Sequence, residues 1–122
     1  MRDFGAFKSI TDDEFLEIQE NNPMAIIDVR RPDEWRLTGV IENSEKITFF
    51  DADGSYDIEK FMDAFTKVVT TKEQPFILVC AHANRTKSIG ELLGLQLQYT
   101  NVYELDGGIN YGWIDKGLAT VK

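Results

Sequence analysis

The chain has little of several features that commonly reveal what a protein does. Its 122 residues include one cysteine, one histidine and three prolines. A single cysteine cannot form an internal disulfide or supply the thiolates of a structural zinc site. The sequence contains no run of about 18 apolar residues that could span a bilayer, and its start, MRDFGAFKSITDDEF, has acids where a signal peptide needs an apolar stretch. We therefore expect a cytoplasmic protein that does not contact a membrane.

Positive charge is also scarce. There are 13 Lys and Arg residues against 21 Asp and Glu, a formal net charge of −8. Because phosphate contacts need clustered Lys and Arg, we expect no nucleic-acid partner. The 43% hydrophobic and 11% aromatic content is typical of a packed globule, and the length predicts one domain over residues 1–122.

Short apolar runs alternate with segments of helical periodicity. The pattern predicts strands at residues 8–10, 24–29, 46–50, 76–79 and 101–105. It predicts helices from the capping box Thr11-Asp12-Asp13-Glu14, over 33–38, from 57, after 85 and over 109–116. Alternating strands and helices indicate an α/β fold with a mainly parallel sheet of about five strands and helices on both faces.

Cys80 follows the most uniformly apolar run, residues 76–79, which we predict to be the central strand. Ligands of open parallel sheets bind outside the carboxyl ends of strands. The polar loop 81–85 leads into a helix, and His82, Arg85 and Lys87 lie nearby with no acid before Glu91. Unpaired helix N–H groups and these cations would favour a thiolate, so Cys80 is a candidate nucleophile. The alternative is an ordinary buried cysteine.

Three separate motifs, at the cysteine loop and on both sides of it, together carry a family resemblance. Cys80, four residues and then Arg85 resemble the catalytic loop of rhodanese sulfurtransferases. IIDVRRPDEW at 26–35 with TGVI at 38–41 resembles the family's first signature. VYELDGGI at 102–109, with Trp113 and Gly117, resembles its closing motif. The order and spacing of the motifs, over roughly residues 9–119, carry the resemblance.

The resemblance implies a rhodanese-like three-layer sandwich and a single-domain sulfurtransferase. Cys80 would take sulfane sulfur from a small anion such as thiosulfate, hold it as a persulfide, and pass it to cyanide, a thiol or a protein thiol. Arg85 would close the loop, and Asp28 and Arg30 would support it. No metal or organic cofactor is expected, and the protein would be a monomer or weak homodimer. The persulfide and substrate would bind the loop residues Ala81, His82, Ala83, Asn84, Thr86 and Lys87.

The sequence departs from the family pattern at several positions. The loop has no glycine, and we expect Asn84 to adopt the left-handed backbone conformation instead. Val40 stands where the family commonly has histidine. We expect Arg30 to pair with Glu34 or face the pocket, and Gly107-Gly108 to form a tight turn.

Two other functions remain open on the sequence, and the loop length counts against a third. A rhodanese-like module with an idle cysteine could dock a partner protein. A redox sensor would have no resolving cysteine within the chain. Cysteine-dependent phosphatases resemble the arrangement but have five residues between Cys and Arg, and four are present here.

Overall fold

Five parallel strands form the centre of the molecule, and the computed structural model describes residues 7–122. The strands are β1 Lys8–Ile10, β2 Ala25–Asp28, β3 Ser44–Lys46, β4 Phe76–Val79 and β5 Val102–Leu105. The helices are α1 Asp12–Asn21, α2 Pro32–Thr38, α3 Ile58–Val68, α4 Arg85–Glu91 and α5 Gly108–Gly112. A π-helical segment, Leu92–Gln96, continues α4, and a 3₁₀ turn, Ile114–Lys116, follows α5. The order β1-β5-β4-β2-β3 puts β4 in the middle, as predicted.

The inner strands are apolar without alternation because both faces of the sheet are covered. In β4, Ile77 and Val79 join the core against α1 and α5, whereas Phe76 and Leu78 join the core against α3 and α4. The predicted α/β fold with helices on both faces is confirmed.

Helix starts follow local sequence signals. The Glu14 backbone N–H donates to the Thr11 hydroxyl, and the Thr11 backbone N–H donates to the Glu14 carboxylate, which completes the predicted capping box of α1. Asp57 caps α3, whose Phe61 and Phe65 are buried in the core.

Two predicted elements are wrong in their extent. The third strand lies at Ser44–Lys46 rather than 46–50, because β2 pairs with it only as far as Asp28↔Lys46. Beyond that point Phe49 donates its backbone N–H to Val29, at the bend that follows β2. The last helix is interrupted at Trp113, whose backbone leaves helical geometry at φ −136°. Within residues 7–122, no helix combines the length and hydrophobicity needed to cross a bilayer.

Candidate active site

Cys80 directly follows β4, at the carboxyl end of the central strand. The ladder between β2 and β4 continues to this point, since the backbone N–H of Val29 donates to the carbonyl of Val79 at 3.0 Å. The cysteine is 1% exposed. It therefore stands where the strand order predicts a site, but beneath the surface.

The first turn of α5 holds the start of the loop. The backbone N–H groups of Ile109 and Asn110 donate to the carbonyls of Cys80 and Ala81, at 2.8 and 3.0 Å. Gly108 allows this close approach. Its φ is +67°, and a Cβ there would overlap the Ala81 carbonyl. The predicted tight turn at Gly107-Gly108 therefore also supports the loop.

The left-handed residue of the loop is Ala83, with φ +64°, and not Asn84 as predicted. Asn84 has right-handed helical geometry, φ −83° and ψ −47°, because it already leads into α4. A left-handed backbone costs an alanine about 1–2 kcal/mol. The loop thus keeps its shape without glycine, held by the contacts at its two ends.

Arg85 is the first residue of α4, and it holds the other end of the loop through Glu34. The guanidinium donates two hydrogen bonds to the two carboxylate oxygens of Glu34, at 2.8 and 2.7 Å. Their side chains are 22% and 19% exposed. A bidentate pair of this kind fixes orientation as well as distance.

The pair changes the acidity of both groups. Partial burial alone would raise the pKa of Glu34, but the hydrogen bonds from Arg85 and from the Arg31 backbone, with the charges of both arginines, lower that pKa to about 2. The hydrogen bond to Glu34 raises the pKa of Arg85 despite its partial burial, with smaller contributions from the charges of Glu34, Cys80 and Asp28. Both groups are charged at neutral pH.

Asp28 and Arg30 form a buried ion pair with each other, 0% and 1% exposed. Arg30 donates to both Asp28 oxygens at 2.8–3.2 Å, and the Trp35 indole donates to Asp28 at 3.0 Å. Arg30 also donates to the Gly39 carbonyl. The expectation that Arg30 pairs with Glu34 or faces a pocket is wrong. Glu34 binds Arg85 instead, and Arg30 is buried against Asp28.

Thr86 and Lys87 both contact Glu104 on β5. The Thr86 hydroxyl donates to Oε1 of Glu104 at 2.5 Å, and the Lys87 ammonium forms an ion pair with Oε2. Cys80 Sγ lies 3.8 Å from the Thr86 hydroxyl. We expected Lys87 at a substrate pocket, but its ammonium binds the Glu104 carboxylate.

His82 lies on the exposed side of the loop, outside the hydrogen bonds that join Cys80, Thr86 and Glu104. Its Nε2 is 3.1 Å from the Asn110 amide nitrogen, and its ring packs against Tyr111 with centroids 4.5 Å apart. The structure thus places His82 against α5.

Sequence reasoning missed the two carboxylates that neutralise the loop cations. Glu34 lies 51 residues before Arg85, and Glu104 lies 17 residues after Lys87. The absence of acid between Cys80 and Glu91 suggested a positive local field. Both acids come from other elements, so only the sheet order reveals them. Residues 7–122 contain no group of three or more His, Cys, Asp and Glu side chains arranged to hold a metal ion.

Comparison with known proteins agrees with the fold and the motifs. Residues 11–115 match the family model of the rhodanese-like domain, so the chain belongs to this family. A rhodanese-related protein from Thermoplasma volcanium is 25% identical, with TM-score 0.69, over 93% of this chain and 97% of that one. The polysulfide-sulfur transferase homodimer of Wolinella succinogenes is 21% identical, with TM-score 0.69, over 97% and 80%.

The same fold also occurs in proteins described differently. A protein of unknown function from Rhodopseudomonas palustris, described as a possible tyrosine phosphatase, is 20% identical, with TM-score 0.58, over 91% of this chain and 80% of that one. No curated protein matches the chain. The likenesses below 25% identity show the fold alone.

Proposed function

We propose that this protein is a sulfurtransferase that carries sulfane sulfur as a persulfide on Cys80. The observation that carries the proposal is the loop of four residues between Cys80 and Arg85. Its start hydrogen-bonds to α5, and Arg85 at its end is paired with Glu34. A loop this short and this firmly held suits one bound sulfur atom better than a tetrahedral phosphoryl group. Membership of the rhodanese-like family supports the same chemistry.

The transfer proceeds in two balanced steps. The Cys80 thiolate attacks the outer sulfur of thiosulfate, an S–S bond to Cys80 forms, and the bond to the sulfonate sulfur breaks with its electron pair leaving as sulfite. Cyanide then attacks the terminal sulfur and leaves as thiocyanate, which restores the thiolate. A thiol acceptor would leave as a persulfide in the same way. Neither step needs a cofactor or an external oxidant.

The loop supplies the electrostatics of this proposal. Main-chain N–H groups of residues 81–85 would hydrogen-bond the terminal sulfur of the persulfide, and preorganised dipoles of this kind stabilise negative charge without reorganising. Arg85, through its pair with Glu34, would keep the loop curved around the sulfur. Because Cys80 is 1% exposed, the donor must be small. Thiosulfate and short polysulfides meet this requirement.

The experiment is the intact mass of the protein before thiosulfate, after thiosulfate and after cyanide, with Cys80→Ser alongside. Cys80 is the one cysteine of the chain, so any thiol-bound sulfur is on this residue. We expect one added sulfur that cyanide removes and that the variant never gains. An unchanged mass with both thiosulfate and polysulfide would contradict the proposal.

The burial of Cys80 favours a second candidate, a non-catalytic rhodanese-like module that binds a partner protein. In that function the thiol is core filler, and Cys80→Ser would leave binding unchanged. The same mass measurement separates the two functions, since an idle thiol takes up no sulfur.

A further inference from the structure

Glu104 is a carboxylate in a part of the sheet where an apolar side chain would be expected. It lies on β5, directly opposite Leu78 of β4, and is 1% exposed. Its neighbours on that side of the sheet, Leu78 and Val102, belong to the hydrophobic core. Burying a carboxylate is costly unless it is well paired, so stability alone is a poor reason for its presence.

Hydrogen bonds connect this carboxylate to the sulfur of Cys80. The thiol donates to the Thr86 hydroxyl at 3.8 Å, and the hydroxyl donates to Glu104 at 2.5 Å. A threonine hydroxyl has one proton, and Thr86 gives it to Glu104. The oxygen therefore turns a lone pair toward Cys80, which is the arrangement that receives a proton from the thiol.

The same contacts lead out to solvent. Cys80 and Thr86 are 1% and 0% exposed, so the thiol has little contact with bulk water, and at neutral pH hydroxide is too scarce to serve as its base. Lys87, bound to the second oxygen of Glu104, is 57% exposed. Cys80, Thr86, Glu104 and Lys87 thus form one continuous path from the buried sulfur to the surface, which we call the proton path.

We propose that Glu104 accepts the proton of Cys80 through the Thr86 hydroxyl when the nucleophile forms. The S–H bond breaks as an O–H bond forms on Thr86, and the original O–H bond of Thr86 breaks as one forms on Glu104. A thiol and a carboxylate become a thiolate and a carboxylic acid, so the site gains no net charge. Thr86 contacts the reacting sulfur itself, whereas Glu104 is a positioning residue that acts on the sulfur only through Thr86. The inference rests on the proposed function, which needs a thiolate.

Within residues 7–122, the neighbouring charged groups Arg85 and Asp28 are already paired with other residues. Arg85 of α4 binds Glu34 of α2, and Asp28 of β2 binds Arg30. His82 and Tyr111 lie against each other on the side of the loop facing α5. Among the described residues, Glu104 is the carboxylate that hydrogen bonds connect to the thiol.

The test measures thiol reactivity without a sulfur donor. The rate of Cys80 alkylation by iodoacetamide is followed by intact mass across pH in the wild type, Glu104→Gln, Thr86→Val and Thr86→Ser. Glutamine keeps the shape of Glu104 but cannot take the proton. Thr86→Val keeps the methyl group and removes the hydroxyl, whereas Thr86→Ser keeps the hydroxyl and removes the methyl group. Thermal unfolding of each variant reports folding.

We expect Glu104→Gln and Thr86→Val to react at least about tenfold more slowly near pH 7, which is a lower bound beside the roughly 10²–10⁴-fold that a general base typically contributes. The deficit should shrink at alkaline pH, where hydroxide replaces the carboxylate, and Thr86→Ser should restore most of the rate. A wild-type or faster rate in Glu104→Gln or Thr86→Val overturns the inference. So does a Thr86→Ser rate as low as that of Thr86→Val. If Glu104→Gln does not fold, the Thr86 pair decides alone.

The two proposals fail separately. A wild-type protein that takes no sulfur from thiosulfate or polysulfide, but whose alkylation follows the expected pattern, refutes the sulfurtransferase and leaves the proton path standing. Normal sulfur loading with alkylation rates unaffected at Glu104 and Thr86 refutes the proton path alone.

Discussion

Each cation that follows the cysteine in the loop motif has a carboxylate partner from a distant element. Arg85 binds Glu34, and Lys87 binds Glu104. These partners differ in setting: the first pair is partly exposed, whereas the Glu104 end of the second is fully buried. The two pairs therefore have different roles. Arg85 and Glu34 shape the loop, and Lys87 and Glu104 lie along the proton path.

The pair of Glu34 and Arg85 makes a testable contribution to stability. The pKa of Glu34 falls from its usual 4.5 to about 2 on folding. The unfolded chain thus binds more protons between these pH values, so the pair's contribution is complete above about pH 4.5 and is lost as pH falls toward 2. We expect the stability difference between wild type and Glu34→Gln to shrink over this range in urea unfolding.

The exposed Glu20 on α1 offers a matched control, because Glu20→Gln removes the same charge far from the loop. A difference between wild type and Glu34→Gln that stays constant from pH 5 to pH 2 would contradict the assignment. A difference that Glu20→Gln reproduces would contradict it as well.

At the scale of elements, α5 supports the loop through its backbone. The N–H groups of Ile109 and Asn110 would lack partners within so short a helix, and they bind the carbonyls of Cys80 and Ala81 instead. The two glycines that precede them bring the chain close enough for these bonds. The closing motif of the sequence therefore serves the cysteine loop as well as the turn after β5.

Gly108→Ala should damage this support. Gly108 and Gly117 both have positive φ, +67° and +86°, so alanine at either costs about 1–2 kcal/mol of backbone strain. Only at Gly108 would the added Cβ overlap the loop, whereas at Gly117 it meets nothing within 4 Å. We expect Gly108→Ala to lose clearly more stability than Gly117→Ala and to slow sulfur loading.

Urea unfolding and the intact-mass assay measure these two effects. Equal losses of stability in the two variants, with unchanged sulfur loading, would mean that α5 does not hold the loop.

At the scale of the whole molecule, the net charge of −8 opposes an anionic donor. A locally positive loop could offset this charge, but Arg85 and Lys87 are both neutralised by carboxylates. The long-range field that an approaching anion meets is therefore mainly that of the whole chain.

The rate of sulfur loading from thiosulfate should therefore rise with ionic strength. Salt screens the repulsion, and the Debye length shortens from about 30 Å at 0.01 M to about 8 Å at 0.15 M. We expect a severalfold rise in the second-order rate constant over this range, measured by intact mass. Alkylation by uncharged iodoacetamide is the control and should change little. A rate that falls with salt would mean that the loop cations attract the donor despite their partners.

Much of the fold was readable from the sequence because its signals are local. The capping box of α1 lies within four residues, and an unbroken apolar run such as 76–79 indicates a strand covered on both faces. The spacing of Cys80 and Arg85 is also local, since one loop joins the strand to the helix. For the same reason the cysteine could be placed at the end of the central strand.

The errors occurred where neighbouring elements decide the local conformation. The extent of β3 depends on where its pairing with β2 ends, and the left-handed residue of the loop depends on how Ala83 and Asn84 lead into α4. Residue type alone specifies neither feature. In the loop it even misleads, because asparagine tolerates a left-handed backbone better than alanine does.

The sequence by itself determined the family, the order of the elements and the position of the thiol, because short-range patterns specify them. Only the tertiary structure decided which charges meet. Glu34 reaches Arg85 across 51 positions, and Glu104 reaches Thr86 across 18, because parallel strands bring their carboxyl ends to one edge of the sheet. Ion pairs depend on distance in space, and the strand order β1-β5-β4-β2-β3 sets that distance.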